Sequence, residues 1–279
     1  MIPMKPIMFA HLTDTHVNVP GKTPLFSIDG GAKLRAAFAD IGKLSDKPAF
    51  VVISGDLTQD GDVEDYKFLR QLIEEEQAKL GVPVYVALGN HDSRPFFREG
   101  YLNEEPSEES YHYSFTHQGL RVVMLNTQIP GKHDGRLDEE QLAWLRNELE
   151  IPAPAGTVVV LHHPVVSTPS DLMDSHLLEN PEDLGQVIAG TDVIGLLSGH
   201  IHFNSIGLFH NIPSAAGTGV AFGLDPTSND SMKFIDNSGY NLVLVKNGQM
   251  IVTPMAMPGE NKVVYEFTLE QMKEAIANH

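Results

Sequence analysis

Six short runs of this chain, 7–12, 49–53, 82–88, 120–125, 157–161 and 193–197, are apolar almost throughout. A strand with one face in water alternates apolar and polar residues, so a run without alternation predicts a strand covered on both faces. Helical patterns lie between the runs. Asp62 and Asp65 read as a cap before a 3.6-period stretch that reaches Leu80 and stops at Gly81. Asp138 with Gln141 opens a helix carrying Trp144 and Leu145, and Pro181 after Asn180 begins a third. Thr268 with Gln271 caps a C-terminal helix. Covered strands alternating with helices predict an α/β layered sandwich.

After residue 203 the texture changes to short strands at 205–209, 240–245, 249–254 and 262–267, with Asn247-Gly248 as a hairpin turn. The stretch 215–238 is rich in Gly, Ser, Asp and Asn and has no clear period, which predicts a long functional or mobile loop. The last strands are expected to extend the sheets. The chain 1–279 therefore reads as a single domain, with a motif-bearing core at 1–203 completed by 204–279.

Five of the six apolar runs end in a polar cluster. Asp14-Thr15-His16 follows the first, Gly55-Asp56 the second and Gly89-Asn90-His91-Asp92 the third. His162-His163-Pro164 and Gly199-His200-Ile201-His202 follow the last two. Open α/β sheets bind ligands beyond the carboxyl ends of their strands, so five such ends can converge on one place. Each cluster alone is commonplace in turns; their joint occurrence is not. Carboxylate, imidazole and amide oxygen are hard-to-borderline donors suited to Zn, Mn, Fe or Co. Glycine before Asp56, Asn90 and His200 is expected to permit sharp turns and close approach. The set holds more donors than one ion uses, which suggests two ions sharing a carboxylate. His11, His112, His117, His176, His210 and His279 fit no such pattern and read as ordinary core or surface residues. His163 is expected to point away from its neighbour His162 and to serve in packing.

Composition narrows the partners. With no cysteine, disulfide scaffolds, thiolate metal sites and cysteine nucleophiles are excluded. Net charge is −18, which repels polyanions, so no nucleic-acid polymer is expected as partner. No apolar run approaches the ~18 residues of a membrane span, and the proline-broken N-terminus does not read as a signal peptide. A cytoplasmic protein is expected.

The full series, Asp14-x-His16, Gly55-Asp56, Gly89-Asn90-His91-Asp92, His162 two before Pro164 and Gly199-His200-x-His202, resembles that of the calcineurin-like metallophosphoesterases. Within them it is most similar to bacterial class III cyclic nucleotide phosphodiesterases and their glycerophosphodiesterase relatives. Relatives often read His-His-Pro-Pro, whereas Val165 follows Pro164 here, a departure that touches pocket shape and not the donors. The resemblance implies a four-layer αββα sandwich of two mixed sheets flanked by helices. It implies two metal ions (Mn, Fe or Zn), one held by Asp14, His16, Asp56 and His202, the other by Asp56, Asn90, His162 and His200. His91 would be general acid or electrostatic partner at the leaving oxygen, with Asp92 either orienting it or capping the helix that follows.

Protein phosphatases of the superfamily carry an Arg after Gly-Asp and a Glu after Asn-His. Here 57–61 holds no Arg, and Asp92 stands in the place of Glu. The expected substrate is a small phosphodiester, a 3′,5′-cyclic nucleotide such as cAMP, cleaved by hydroxide generated between the metals. A glycerophosphodiester or a broad range of phosphoesters is the alternative. Non-catalytic scaffolds of this fold lack several donors, and all seven are present. A homodimer is expected, and 17–30 and 215–238 are expected to line the leaving-group side.

Overall fold

The computed structural model describes residues 5–174, 176–228 and 230–271. The first half runs β1 (Ile7–Leu12), α1 (Gly30–Ile41), β2 (Val51–Ser54), α2 (Val63–Leu80), β3 (Val84–Ala87), α3 (Arg94–Phe97), β4 (Tyr113–His117), β5 (Leu120–Met124) and α4 (Glu139–Glu148). There follow β6 (Thr157–Val160), α5 (Asp171–Asp174), α6 (Pro181–Ile188), β7 (Val193–Ser198), β8 (Ser205–Phe209) and β9 (Ile212–Ala216). The chain closes with β10 (Gly223–Leu224), β11 (Ser231–Ile235), β12 (Ser238–Lys246), β13 (Gln249–Met257) and β14 (Val263–Thr268).

Two mixed sheets form, ordered β13-β12-β1-β2-β3 and β4-β5-β6-β7-β9-β8. In the first, β1, β2 and β3 are parallel, and β12 joins β1 antiparallel. In the second, β5, β6, β7 and β9 are parallel. The strands are apolar on both faces because both are covered. Phe9 of β1 lies between the sheets, stacked on Phe50 at 4.6 Å, while Ala10 and Leu12 turn to the helix side against Leu34, Phe38 and Leu69. Leu142 and Leu145 of α4 and Leu184 of α6 cover the outer face of the second sheet. The layers are thus helix, sheet, sheet, helix. Each fully buried Leu, Val or Phe contributes about 1.5–3 kcal/mol, which makes this stack the main stabilising term. Among the described residues, no helix is long and apolar enough to cross a membrane.

Several expectations are corrected. The helix α1 has no counterpart in the sequence reading, although Leu34, Ala37, Phe38 and Ile41 repeat on one buried face. Asp62 precedes α2 but makes no capping bond; its carboxylate goes to Lys22 Nζ at 2.6 Å, as does that of Asp65 at 2.7 Å. The stretch 215–238 is not one long loop. It carries the end of β9, both β10 and β11, and the first residue of β12. The strand β10 pairs with β11 and β11 with β14 in a third, three-stranded antiparallel sheet, so not every late strand extends the two main sheets. Thr268 and Gln271 do exchange capping bonds, at 2.9 and 3.3 Å; residues 272–279 of the expected helix, with His279, lie outside the described residues.

Asp138 accepts from the Gln141 N–H at 2.7 Å, and Gln141 in turn bridges Asn126 N–H and C=O. Asp138→Ala removes only the cap, and is expected to lower unfolding free energy by about 1 kcal/mol. Urea denaturation should show a lower midpoint at unchanged slope. An unmoved midpoint would remove the cap from the account of α4.

Candidate metal centre and the cavity beside it

All five polar clusters lie at the carboxyl ends of β1, β2, β3, β6 and β7, where the two sheets present parallel strands side by side. The backbone there is contorted. Asp14, His16, Asp56, His200 and His202 all have positive φ, between 43° and 72°. Non-glycine residues seldom enter this region, and Asp, Asn and His are the types that tolerate it best. The ends of β1 and β2 hold each other, Asp14 N–H donating to Gly55 C=O and His16 N–H to Asp56 C=O, while His200 N–H donates to the Asp14 carboxylate and His202 C=O accepts from Leu224 N–H. Of the three cluster glycines, Gly55 alone has positive φ, 105°. Gly89 and Gly199 serve close approach instead. A Cβ on Gly89 would sit 2.3 Å from Asp56 Oδ1, and one on Gly199 2.6 Å from Asp14 Oδ2.

The side chains converge in two adjoining groups. Donor atoms of Asp14, His16, Asp56 and His202 lie within 4.8 Å of one another, all buried. On the other side, His162 Nε2 is 3.1 Å from Asn90 Oδ1, and the His200 ring is 5.0 Å from that of His162. Asp56 stands between them: its Oδ2 is 3.4 Å from His162 Nε2 and 3.8 Å from His16 Nε2, while Oδ1 accepts the His91 N–H at 2.9 Å.

Hydrogen bonds outside the cluster aim the rings. His16 Nδ1 bonds Gln59 Oε1 at 2.9 Å, His162 Nδ1 the Ser54 carbonyl at 2.8 Å, and His202 Nδ1 the Phe222 carbonyl at 2.9 Å. Donation from Nδ1 leaves Nε2 as the inward lone pair, the arrangement that metal-binding histidines adopt. The His16 and His202 Nε2 atoms then face each other at 3.3 Å beside two carboxylates, and need positive charge between them. Among the described residues, His200 Nε2 is buried with no hydrogen-bond partner. The donor set therefore fits divalent cations.

Electrostatics agree. Burial works against the Asp56 charge, but His162 and His91 more than offset it and hold the carboxyl well below its usual range. Burial likewise disfavours the His162 cation, yet Asp56 raises it to about 9. Burial lowers His16 to about 3, and carries His200 far below its usual value. His16 and His200 are thereby kept unprotonated and available as donors, whereas the neighbouring carboxylates favour the protonated form of His162 and His202. A third group, the acidic Asp60, Asp62 and Asp65, is different in kind, because Lys22 Nζ bonds all three at 2.6–3.2 Å.

His91 lines a cavity of about 340 Å³ beside the donors, with Nδ1 3.2 Å from the Gln59 carbonyl. Asp92 neither orients the His91 ring nor caps α3, which follows Ser93. Its carboxylate accepts from Gly89, Leu57 and Thr58 N–H and from Tyr66 Oη, at 2.8–3.3 Å. Burial, then the Asp56 charge, raises it to about 6. Asp92 ties the second and third clusters together.

Two histidines were missed. His133, in a turn without periodicity, and His176, read as ordinary, both line the cavity. His133 Nδ1 is 3.3 Å from Asn90 Nδ2, and the His176 ring is 6.0 Å from His200. His163 does not point away. The strand β6 ends at Val160, alternation stops there, and its ring lies 4.5 Å from that of His200, held by Thr127 Oγ1 and the His133 carbonyl. His11 is a buried neighbour bonded to Ser54 Oγ at 2.9 Å.

The calcineurin-like phosphoesterase signature matches residues 7–204. A probable cyclic nucleotide phosphodiesterase of Rhodococcus erythropolis is 34% identical over 77% of this chain and 71% of its own. A cAMP/cGMP dual specificity phosphodiesterase of Mycobacterium tuberculosis is 33% identical over 81% and 71%. A probable glycerophosphodiester phosphodiesterase of Arcobacter nitrofigilis is 30% identical over 74% and 76%. Among solved structures, a dimetal phosphatase from Danio rerio superposes with a TM-score of 0.60 at 17% identity over 92% of this chain and 100% of its own, a likeness of fold alone. Strand order, donor clusters and these matches together make the chain a member of the calcineurin-like phosphoesterase family.

Proposed function

We propose that the protein is a dinuclear metal-dependent phosphodiesterase for small phosphodiesters, foremost 3′,5′-cyclic nucleotides such as cAMP. The observation that carries this reading is the position of Asp56 Oδ2, 3.4 Å from His162 Nε2 and 3.8 Å from His16 Nε2, between two donor sets. Asp14, His16, Asp56 and His202 would hold one cation, and Asp56, Asn90, His162 and His200 the other, with Mn, Fe or Zn matching these donors. Such cations, when bound, neutralise the phosphoryl oxygens and activate water for in-line attack.

The residues of the chain supply position and proton. Ser54, Gln59 and Phe222 hold the rings by their Nδ1 atoms. His91 holds Nδ1 toward the Gln59 carbonyl, which leaves Nε2 for the cavity. In its protonated form His91 gives that proton to the leaving ester oxygen as the P–O bond breaks. The cyclic-nucleotide names among relatives at 33–34% identity support the first substrate class. The Arcobacter relative, at 30%, supports glycerophosphodiesters as the second reading.

Asp56→Ala is expected to remove the shared donor. Bound metal should fall from two equivalents toward none and turnover should be lost, while circular dichroism shows the fold intact. Wild-type metal stoichiometry and rate in that variant would sink the two-metal reading.

His91→Ala separates proton donation from phosphate binding. Ribose O3′ is a poor leaving group that needs a proton, whereas p-nitrophenolate leaves without one. The variant should hydrolyse cAMP about 10²–10⁴-fold more slowly, with a far smaller loss on bis(p-nitrophenyl) phosphate and unchanged metal content. Equal losses on both substrates would withdraw the acid role.

A further inference from the structure

One side of the cavity is built of a different material from the donor floor. Phe26, Phe222, Phe234 and Phe267 line it, with Leu224 and Met232. The rings interlock: the Phe26 centroid is 5.3 Å from Phe222, 4.6 Å from Phe234 and 5.0 Å from Tyr265. Phe222 also stacks on the imidazoles of His16 and His202, at 5.1 and 4.6 Å. The aromatic wall therefore begins at the floor itself, one ring away from the candidate donors.

The backbone that delivers Phe26 is unusual. Phe26 has φ 52° and ψ 22°, and Ser27 follows at φ 60°. A bulky residue in the left-handed region is an outlier, and it persists only where the surroundings over-determine it. Here they do. The Val19 N–H donates to Asp65 Oδ1 at 2.7 Å, Lys22 is bound by three carboxylates, and Asp29 caps α1 through the Ala32 N–H at 2.9 Å. A segment pinned at both ends presents its phenyl ring to the cavity, and such outliers cluster at ligand clamps.

We propose that this wall is a ring-binding subsite, in which Phe26 and Phe234 receive the flat unsaturated ring of a phosphodiester substrate, a nucleobase in natural substrates. The inference rests on the phosphodiesterase reading and chooses between its two substrate classes. A planar ring gains from aromatic faces and edges whatever its substituents. A glycerol headgroup would bring hydroxyls against carbon and lose their hydration without a partner. Phe26 is a specificity residue and takes no part in bond breaking.

The test compares wild type, Phe26→Ala and Phe26→Tyr, each loaded with Mn²⁺, on cAMP and on the ringless diester glycerophosphoethanolamine. Phe26→Ala should raise KM for cAMP about 10–100-fold at little-changed kcat, and leave kcat/KM for the ringless diester as it was. Phe26→Tyr, which keeps the ring, should restore the cAMP value. Calorimetric titration supplies a readout independent of turnover: AMP binding weakens by the same factor in Phe26→Ala, and glycerol 3-phosphate binding does not. Equal loss on both diesters, or no change on either, overturns the subsite while leaving the phosphodiesterase reading in place. If wild type hydrolyses neither diester, the phosphodiesterase reading fails, and the AMP and glycerol 3-phosphate titrations still decide the wall.

Discussion

Two carboxylates, Asp14 and Asp56, and the four imidazoles of His16, His162, His200 and His202 are gathered at the sheet ends, with His200 at the margin and the others buried. Burying like charges and unpaired polar atoms together is among the costliest things a fold can do. The described ion pairs bring neither Lys nor Arg to these carboxylates; their partners are imidazoles. Without a cation the charge is offset only by protons, which explains why His162 is raised and Asp56 depressed in concert. A divalent ion would replace those protons with a stronger and geometrically defined charge. The site is costly as a bare protein feature and self-consistent as a cation receptor.

That cost shapes the surrounding backbone. Five of the seven candidate donors sit at positive φ, and a left-handed residue is held only by what surrounds it. The strands beneath supply the rigidity, since their side chains pack on both faces. Asp92 adds a second tie: by accepting from Gly89, Leu57 and Thr58 N–H it fixes the loop after β2 to the loop after β3. Tyr66 Oη, reaching from α2, closes that network and also accepts the Ser93 N–H at 2.8 Å. A carboxylate that sequence position associates with His91 thus works on the backbone.

What could be seen in the sequence were the features whose cause is local. A doubly covered strand is apolar at every position, and a ligand cluster at its end is a break in that run, so donors from Asp14 to His202 announced themselves. Features with distant partners did not. Asp62 resembles a cap until Lys22, forty residues upstream, takes its carboxylate. The strands β10 and β11 are short and unpatterned, since β10 pairs only with β11 and β11 depends on the distant β14. Gly30-Gly31 masks the start of α1, although a Cβ on Gly30 would strike the carbonyls of Thr15 and His16 at 2.3 and 2.5 Å, so the first glycine is required where the helix passes the first cluster. His133 and His176 reach the cavity from turns, where no period betrays the direction of a side chain.

The donor floor and the aromatic wall consequently occupy separable parts of the chain. The donor floor comes from residues 14–202, all at strand ends of two sheets that hold the core. Most of the aromatic wall comes from elsewhere: Phe26 on the segment before α1, and Phe222, Phe234 and Phe267 on or beside the third sheet. Substitution in the floor disturbs buried charge and is paid throughout the site, whereas substitution in the wall changes only the shape and apolar area of the cavity. The two meet at Phe222, whose carbonyl orients His202 while its ring stacks on the imidazoles and touches the wall. Phe222 couples the two halves: its backbone belongs to the floor and its side chain to the wall, so replacing the side chain leaves the bond to His202 in place but removes the aromatic surface that joins the donor rings to the wall.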